Sequence, residues 1–375
     1  MKNQNKYIVC PDSFKGSVSA QGAAAAIKRG ILRYDATATV IECPIADGGE
    51  GTLDALVSEE ARVELTVCGT DRTPTNAQYG YIGDAAIIEM ATAAGLCLVP
   101  EERRNPEAAT TYGVGELVLD ALERGFRKIM ITVGGSGTND GGSGMIEALG
   151  AEFFDADGNI LSMCGGALAK VDRIDISKLD KRLFETEFTF ACDVTNPLLG
   201  ERGATYVYGA QKGADPEMQA RLEAGMTNYA DKLRDASGND ICDVAGCGAG
   251  GGTAAPLVAL CGAKIRSGIE SVLNTVGFDE KLDGAKLVIT GEGKIDRQSA
   301  YGKAISGVTE RAAAKGIPVY ALVGIKGEGA DELLSIGITK ISAIKDIAPS
   351  VDYSINHADI LLEQLIFDEL TKEQI

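Results

Sequence analysis

Five segments of this chain gather the residue types that handle phosphate, cations and protons, each directly after a short apolar run. Pro11-Asp12-Ser13-Phe14-Lys15-Gly16-Ser17 follows Cys10, and Pro44-Ile45-Ala46-Asp47-Gly48-Gly49-Glu50-Gly51-Thr52 follows Cys43. Gly134 to Gly142 follows Val133, Cys192 to Pro197 follows Phe190-Ala191, and Thr290-Gly291-Glu292-Gly293-Lys294-Ile295-Asp296 follows Ile289. Glycine lets backbone N–H groups approach an anion, and a following helix N-terminus adds partial positive charge. Lys15, Lys294 and Lys303 could neutralise phosphate or carboxylate groups. Asp47, Glu50, Asp140, Asp193, Glu292 and Asp296 would repel phosphate unless a divalent cation sits among them, which points to a nucleotide–magnesium site. One carboxylate could accept a substrate hydroxyl proton. Asp47 and Asp140 also sit where helices are about to start, the place of a capping residue.

Other chemistries are narrowed by what the sequence lacks. His357 is the single histidine, which argues against a Ser-His-Asp mechanism and a histidine-rich zinc site. Neither a Gly-x-x-x-x-Gly-Lys-Ser/Thr loop nor a protein-kinase signature set occurs. Residues 246–251 match Gly-x-Gly-x-x-Gly, the dinucleotide fingerprint of an oxidoreductase. With 47 glycines such a match is cheap. Asp243-Val244-Ala245 makes a poor preceding strand, so a hinge-like loop before a small-residue helix from Thr253 fits better. A non-catalytic binder of small hydroxy acids is the other rival, but simple anion binding does not need so many carboxylates.

The elements that must hold these loops read as alternating strands and helices. Tyr7–Cys10 is a strand, and Ala20, Ala24, Ile27 and Ile31 share one face of a helix running to Arg33. Thr39–Cys43 is a second strand, before a short helix over 52–57. Arg62–Val67 alternates like a half-buried antiparallel strand, and Gly83-Asp84 marks a hairpin between 78–82 and 85–90. Strands at 128–133 and 188–192 and helices at 111–124 and 216–233 follow. Leu287–Thr290, a helix over 303–315, Val319–Val323 and a closing helix over 357–370 restore the alternation. This is an α/β chain of two domains, a parallel-sheet domain built from both chain ends (1–65 plus 283–375) and an inserted mixed α/β domain (66–282). Ligands of such sheets bind beyond the carboxyl ends of the strands, where the five loops are expected.

The 375 residues carry 45% hydrophobic residues and a net charge of −18, ordinary for a globular core but wrong for a nucleic-acid or anionic membrane partner. No apolar run is long enough to span a bilayer, and Met1–Lys6 is polar, so no secretory signal is expected. Nine scattered cysteines without a Cys-x-x-Cys pair suit a reducing, cytoplasmic setting.

Taken as motifs, Pro-Asp-Ser-Phe-Lys-Gly-Ser (11–17), Ala-Asp-Gly-Gly-Glu-Gly-Thr (46–52) and Gly-Gly-Ser-Gly-Thr-Asn-Asp-Gly-Gly (134–142) resemble the bacterial glycerate kinase family. Cys-Asp-Val-Thr-Asn-Pro-Leu-Leu-Gly (192–200), Gly-Ala-Gln-Lys-Gly-Ala (209–214) and Thr-Gly-Glu-Gly-Lys-Ile-Asp (290–296) extend the resemblance over nearly the whole chain. Gly137, the spelling of 246–252 and Arg297 depart from it. The resemblance implies ATP-dependent, Mg²⁺-assisted phosphorylation of D-glycerate to 2-phosphoglycerate; 3-phosphorylation or another small hydroxy acid is the alternative. It also implies a Rossmann-like domain from both termini and a site in the cleft between two domains. The residues expected to carry catalysis are Asp296, Asp193, Lys15 and Lys294. Gly134, Gly135, Ser136, Thr138, Asn139, Gly141, Gly291 and Gly293 are expected on nucleotide phosphate. Ser13, Asp47, Gly48 and Gly49 are expected on substrate, and Asp193 and Glu292 on metal. A homodimer is allowed for, with no nucleic-acid or membrane partner.

Overall fold

The structure is a computed structural model that describes residues 5–49, 51–297 and 304–373; Glu50 and Lys303 lie outside the described residues. The chain divides into two compact units: Met1–Asp47, Asp54–Leu56 and Val272–Ile375 form the first, Gly48–Leu53 and Val57–Ser271 the second.

The first unit is built on a five-stranded parallel sheet. Its strands are β1 (Lys6–Pro11), β2 (Thr39–Glu42), β12 (Leu287–Ile295), β13 (Val319–Lys326) and β14 (Lys340–Ala343), in the order β14-β13-β12-β1-β2. Both chain ends thus meet in one sheet, with Val9 opposite Ile289 on one side of β1 and Ile41 opposite Ile8 on the other. β1 reads as a continuous apolar run because helices cover both sheet faces. Tyr7, Val9, Leu287 and Ile289 pack under the helices Ala20–Tyr34 and Ala358–Glu373. Ala321 and Val323 pack with Ile305 of the helix Ala304–Ala314. The two terminal helices touch so closely that a Cβ on Gly30 would lie 2.4 Å from the Glu363 carbonyl oxygen. Ser19 caps the first, its hydroxyl accepting from the Gly22 amide at 3.1 Å.

A six-stranded mixed sheet organises the second unit. β3 (Arg62–Cys68), β4 (Pro74–Ile82), β5 (Ala85–Glu89), β6 (Lys128–Thr132), β10 (Glu187–Ala191) and β11 (Lys264–Arg266) run in the order β11-β10-β6-β5-β4-β3. β3, β4 and β5 pair antiparallel, and the hairpin at Gly83-Asp84 is present. β5, β6, β10 and β11 pair parallel. A small antiparallel sheet of β7 (Glu152–Phe154), β8 (Ile160–Leu161) and β9 (Arg173–Asp175) is added. The core holds Ile88, Ile131, Phe153, Phe188, Phe190 and Tyr229, all at most 2% exposed.

Two sequence expectations change. The segment 290–296 is not a loop, because β12 continues to Ile295 and pairs with β13 through Lys294 and Ile325. Side-chain-free positions make that pairing possible: a Cβ on Gly291 would lie 2.0 Å from the Leu322 carbonyl oxygen. The glycine cluster at 246–252 is no hinge either, because its backbone is packed. Gly251, at φ +73°, lies where a Cβ would come within 2.0 Å of the Thr138 carbonyl oxygen. Among the described residues no helix is long and apolar enough to cross a membrane.

Candidate functional site

The first unit's sheet places a cavity where its chain order reverses. Counted from β2, the strands come second, first, third, fourth and fifth in chain order, so connections leave β1 and β12 in opposite directions and a crevice opens beyond their carboxyl ends. A cavity of about 460 Å³ lies there, within the range of small-molecule sites, and every residue lining it belongs to the first unit. Asp12, Ser13 and Lys15 reach it from the end of β1, and Asp47 from the segment after β2. Glu292, Lys294 and Asp296 enter from the end of β12. Most of the remaining wall is apolar, with Phe14, Ile325, Ile344, Val351 and Ile355, and Ser17, Lys345 and Ser354 also line it.

Backbone bonds fix the polar end. The Asp12 amide donates to the Gly291 carbonyl at 2.8 Å, tying the turn after β1 to β12. Phe14 bridges Val18 and is 2% exposed, so its anchored ring sets the position of the exposed Lys15 beside it. Lys294 Nζ lies 3.0 Å from Asp296 Oδ2, their side chains 63% and 24% exposed. A phosphate group entering the cavity would compete with Asp296 for that ammonium.

Asp12 is the residue that sequence reasoning passed over. Burial pushes its carboxyl up to about 6, and the neighbouring charge of Asp47 adds to the rise, against the lowering effect of the Ser13 amide and Lys15. Its place directly after an apolar strand was the available signal, but it reads equally well as a turn residue. Two carboxylates lining one cavity suit a cation. Among the described residues no three His, Cys, Asp or Glu side chains converge into a metal cage. That donor set fits Mg²⁺, which takes one or two carboxylates and completes its shell with water and substrate phosphate.

Most of the remaining expected residues fall in the second unit and are not part of this cavity. Asp193 is exposed, and its carboxylate accepts from the Gly268 amide at 2.8 Å. Gly48 packs on Gly268, whose Cα would lie 2.3 Å from an added Cβ, and Gly49 accepts from the Thr52 hydroxyl at 2.7 Å. Gly134 and Gly135 reach the surface, whereas Ser136, Thr138, Asn139 and Asp140 are buried. The Gly141 amide donates to the Gly251 carbonyl at 2.9 Å. Asp140 acts as the expected cap: its carboxylate accepts from the Thr111 amide and hydroxyl at 2.7 and 2.8 Å and from the Gly142 and Gly144 amides. Lys212, wholly buried, donates to the Thr138 carbonyl at 2.6 Å, and burial pushes its ammonium down to about 7. Gly291 and Gly293 belong to the β12 extension, and Gly293 lines the cavity. His357 stacks on Tyr353 with ring centroids 4.0 Å apart.

The model of the glycerate kinase family matches residues 7–369. A glycerate kinase of Halalkalibacterium halodurans is 41% identical over 364 residues, 96% of each chain. A glycerate 2-kinase of Escherichia coli is 43% identical over 350 residues, 92% of this chain and 91% of that one. A solved Salmonella typhimurium LT2 structure, described provisionally as glycerate kinase 2, superposes with a TM-score of 0.88 at 40% identity, covering all of both chains. The chain belongs to the glycerate kinase family.

Proposed function

We propose that this chain transfers the terminal phosphoryl group of ATP to the 2-hydroxyl of D-glycerate, with Mg²⁺ as the companion ion. The observation that carries the reading is the cavity at the sheet's reversal point, where Asp12, Asp47, Glu292 and Asp296 converge with Lys15 and Lys294. The preference for the 2-position rests on the likeness to the Escherichia coli glycerate 2-kinase. A cytoplasmic enzyme suits the charge and the cysteine usage.

In this reading Lys15 and Lys294 neutralise the transferring phosphoryl oxygens. Ser13 and Asp47 orient glycerate. Glu292, which lines the cavity, would hold Mg²⁺, which when bound supplies neutralisation of the polyphosphate charge. As the bond from the glycerate oxygen to phosphorus forms and the bond to the ADP oxygen breaks, the hydroxyl proton passes to a carboxylate. Asp296 is the proposed acceptor. Asp12 is the competitor that the structure adds, since a carboxylate of raised proton affinity is the better base at neutral pH. Rate enhancement then rests on positioning and charge stabilisation.

A coupled assay of ADP release with ATP, Mg²⁺ and D-glycerate tests the reading. Glycerate-dependent release is expected, and Asp296→Asn should lower turnover by ~10²-fold or more, the scale of a lost base. A folded protein without glycerate-dependent release would refute the activity. Undiminished turnover in Asp296→Asn would remove Asp296 from the proton step.

A further inference from the structure

The cavity is chemically divided, and glycerate can use only one end of it. Glycerate is three carbons carrying hydroxyls and a carboxylate, so it has almost no apolar surface to offer. The carboxylates and lysines at the ends of β1, β2 and β12 suit it and a polyphosphate. The opposite end, at β13 and β14, is lined mainly by the aliphatic side chains of Ile325, Ile344, Val351 and Ile355, with Lys345 and Ser354 among them. Val351 and Ile355 stand four residues apart on the short helix Val351–Asn356, so they share a face. They are 48% and 44% exposed. Apolar side chains turned into a cavity lower the free energy when a ligand covers them and removes them from water.

The two ends are held in fixed relation. Ser17, in the segment after β1, donates its hydroxyl to the Ile355 carbonyl, so the apolar wall is tied to the segment that carries Ser13 and Lys15. Three strand spacings separate β1 from β14, about 14 Å, a span that suits an extended nucleotide rather than a three-carbon acid.

We propose that the apolar end of this cavity, formed by Ile325, Ile344, Val351 and Ile355, seats the adenine ring of ATP, with the phosphates directed toward Lys15 and Lys294. The proposal rests on the kinase reading and deepens it. It places the nucleotide base in the first unit, on the β13–β14 side of the sheet, and leaves the β1–β2 side to glycerate. The planar ring would lie against the four aliphatic side chains.

The test uses the full-length chain and the double variant Val351→Asp/Ile355→Asp, whose positions are exposed enough to accept a carboxylate without disturbing the core. Calorimetric ADP binding with MgCl₂ should weaken by ~10-fold or more, about 1.4 kcal/mol, and KM for ATP should rise in step. KM for D-glycerate should stay within about twofold, and binding of inorganic tripolyphosphate, which has no base, should not change. Ile355→Leu should keep ADP binding at the wild-type level, being apolar and of similar volume. Unchanged ADP affinity in the double variant, or an equal rise in both KM values, would overturn the placement of adenine. Wild-type protein that phosphorylates glycerate while the variant is unaffected sinks only this proposal. Wild-type protein that neither binds ADP nor turns over glycerate sinks the kinase reading beneath it.

Discussion

Asp12 shows how a residue can be plain in the structure and silent in the sequence. Its loop was visible as Pro-Asp-Ser-Phe-Lys-Gly-Ser, and Lys15 and Ser13 were drawn from that loop, but nothing in the spacing said that the aspartate would be the half-buried one. Burial and Asp47 together hold its carboxyl at about 6, above the ordinary 3.8. The sign follows directly. Between roughly pH 4 and 6 the unfolded chain has released this proton while the folded chain keeps it, so stability falls as pH rises through that window. The whole cost is present at pH 7.5, on the order of 2–3 kcal/mol. Asp12→Asn should therefore melt several degrees higher than the native chain at pH 7.5, with the gap closing toward pH 4. If Asp12 is the base, turnover falls by ~10²-fold in the same variant. A melting temperature that drops at pH 7.5 would show that the carboxylate is already compensated in the free protein.

At the scale of elements, much was legible because apolar periodicity reports burial. The helix Ala20–Tyr34, the hairpin across Gly83-Asp84 and the long helix Pro216–Ser237 stand within a few residues of their expected places. The failures have physical causes. β12 runs five residues past its apolar part because Gly291 and the strand partner β13 supply what side chains do not, a close backbone approach. The small sheet of β7, β8 and β9 was missed because strands of two or three residues carry no measurable period. The loop 134–142 was expected on nucleotide phosphate from its glycines, and its burial from Ser136 to Asp140 was not legible in them. Lys212 shows that burial most clearly, donating to the Thr138 carbonyl from a site with no exposed surface to speak of. Burial holds its ammonium near 7 in the folded chain, against 10.5 ordinarily. The unfolded chain then binds the extra proton between those values, so stability climbs with pH above 7, by about 1 kcal/mol per pH unit. Lys212→Met should flatten the rise in melting temperature between pH 7 and 9. A rise of equal slope in the variant would assign it to another group.

For the molecule as a whole, the sheet from both chain ends was readable from the return of strand–helix alternation after Lys286, and the parallel pairing of β1 with β12 bears that out. The division of labour was not readable, because glycine-rich loops with acidic residues occur in both halves of the chain. The structure gives each unit its own core: the cluster from Val63 to Ala263 contains no residue of the first unit, and the cavity contains none of the second. A fragment of residues 57–271 is accordingly expected to unfold cooperatively in urea and to show no calorimetric binding of ADP. ADP binding by that fragment would move the nucleotide to the second unit.

The measurement that bears most directly on the central claim is ³¹P NMR of the product formed from ATP, Mg²⁺ and D-glycerate by the full-length chain. The account predicts a phosphomonoester on the 2-hydroxyl, 2-phosphoglycerate, appearing in step with ADP. A phosphomonoester on the 3-hydroxyl would contradict the proposed regiochemistry, and inorganic phosphate as the only new signal would contradict transfer to glycerate altogether.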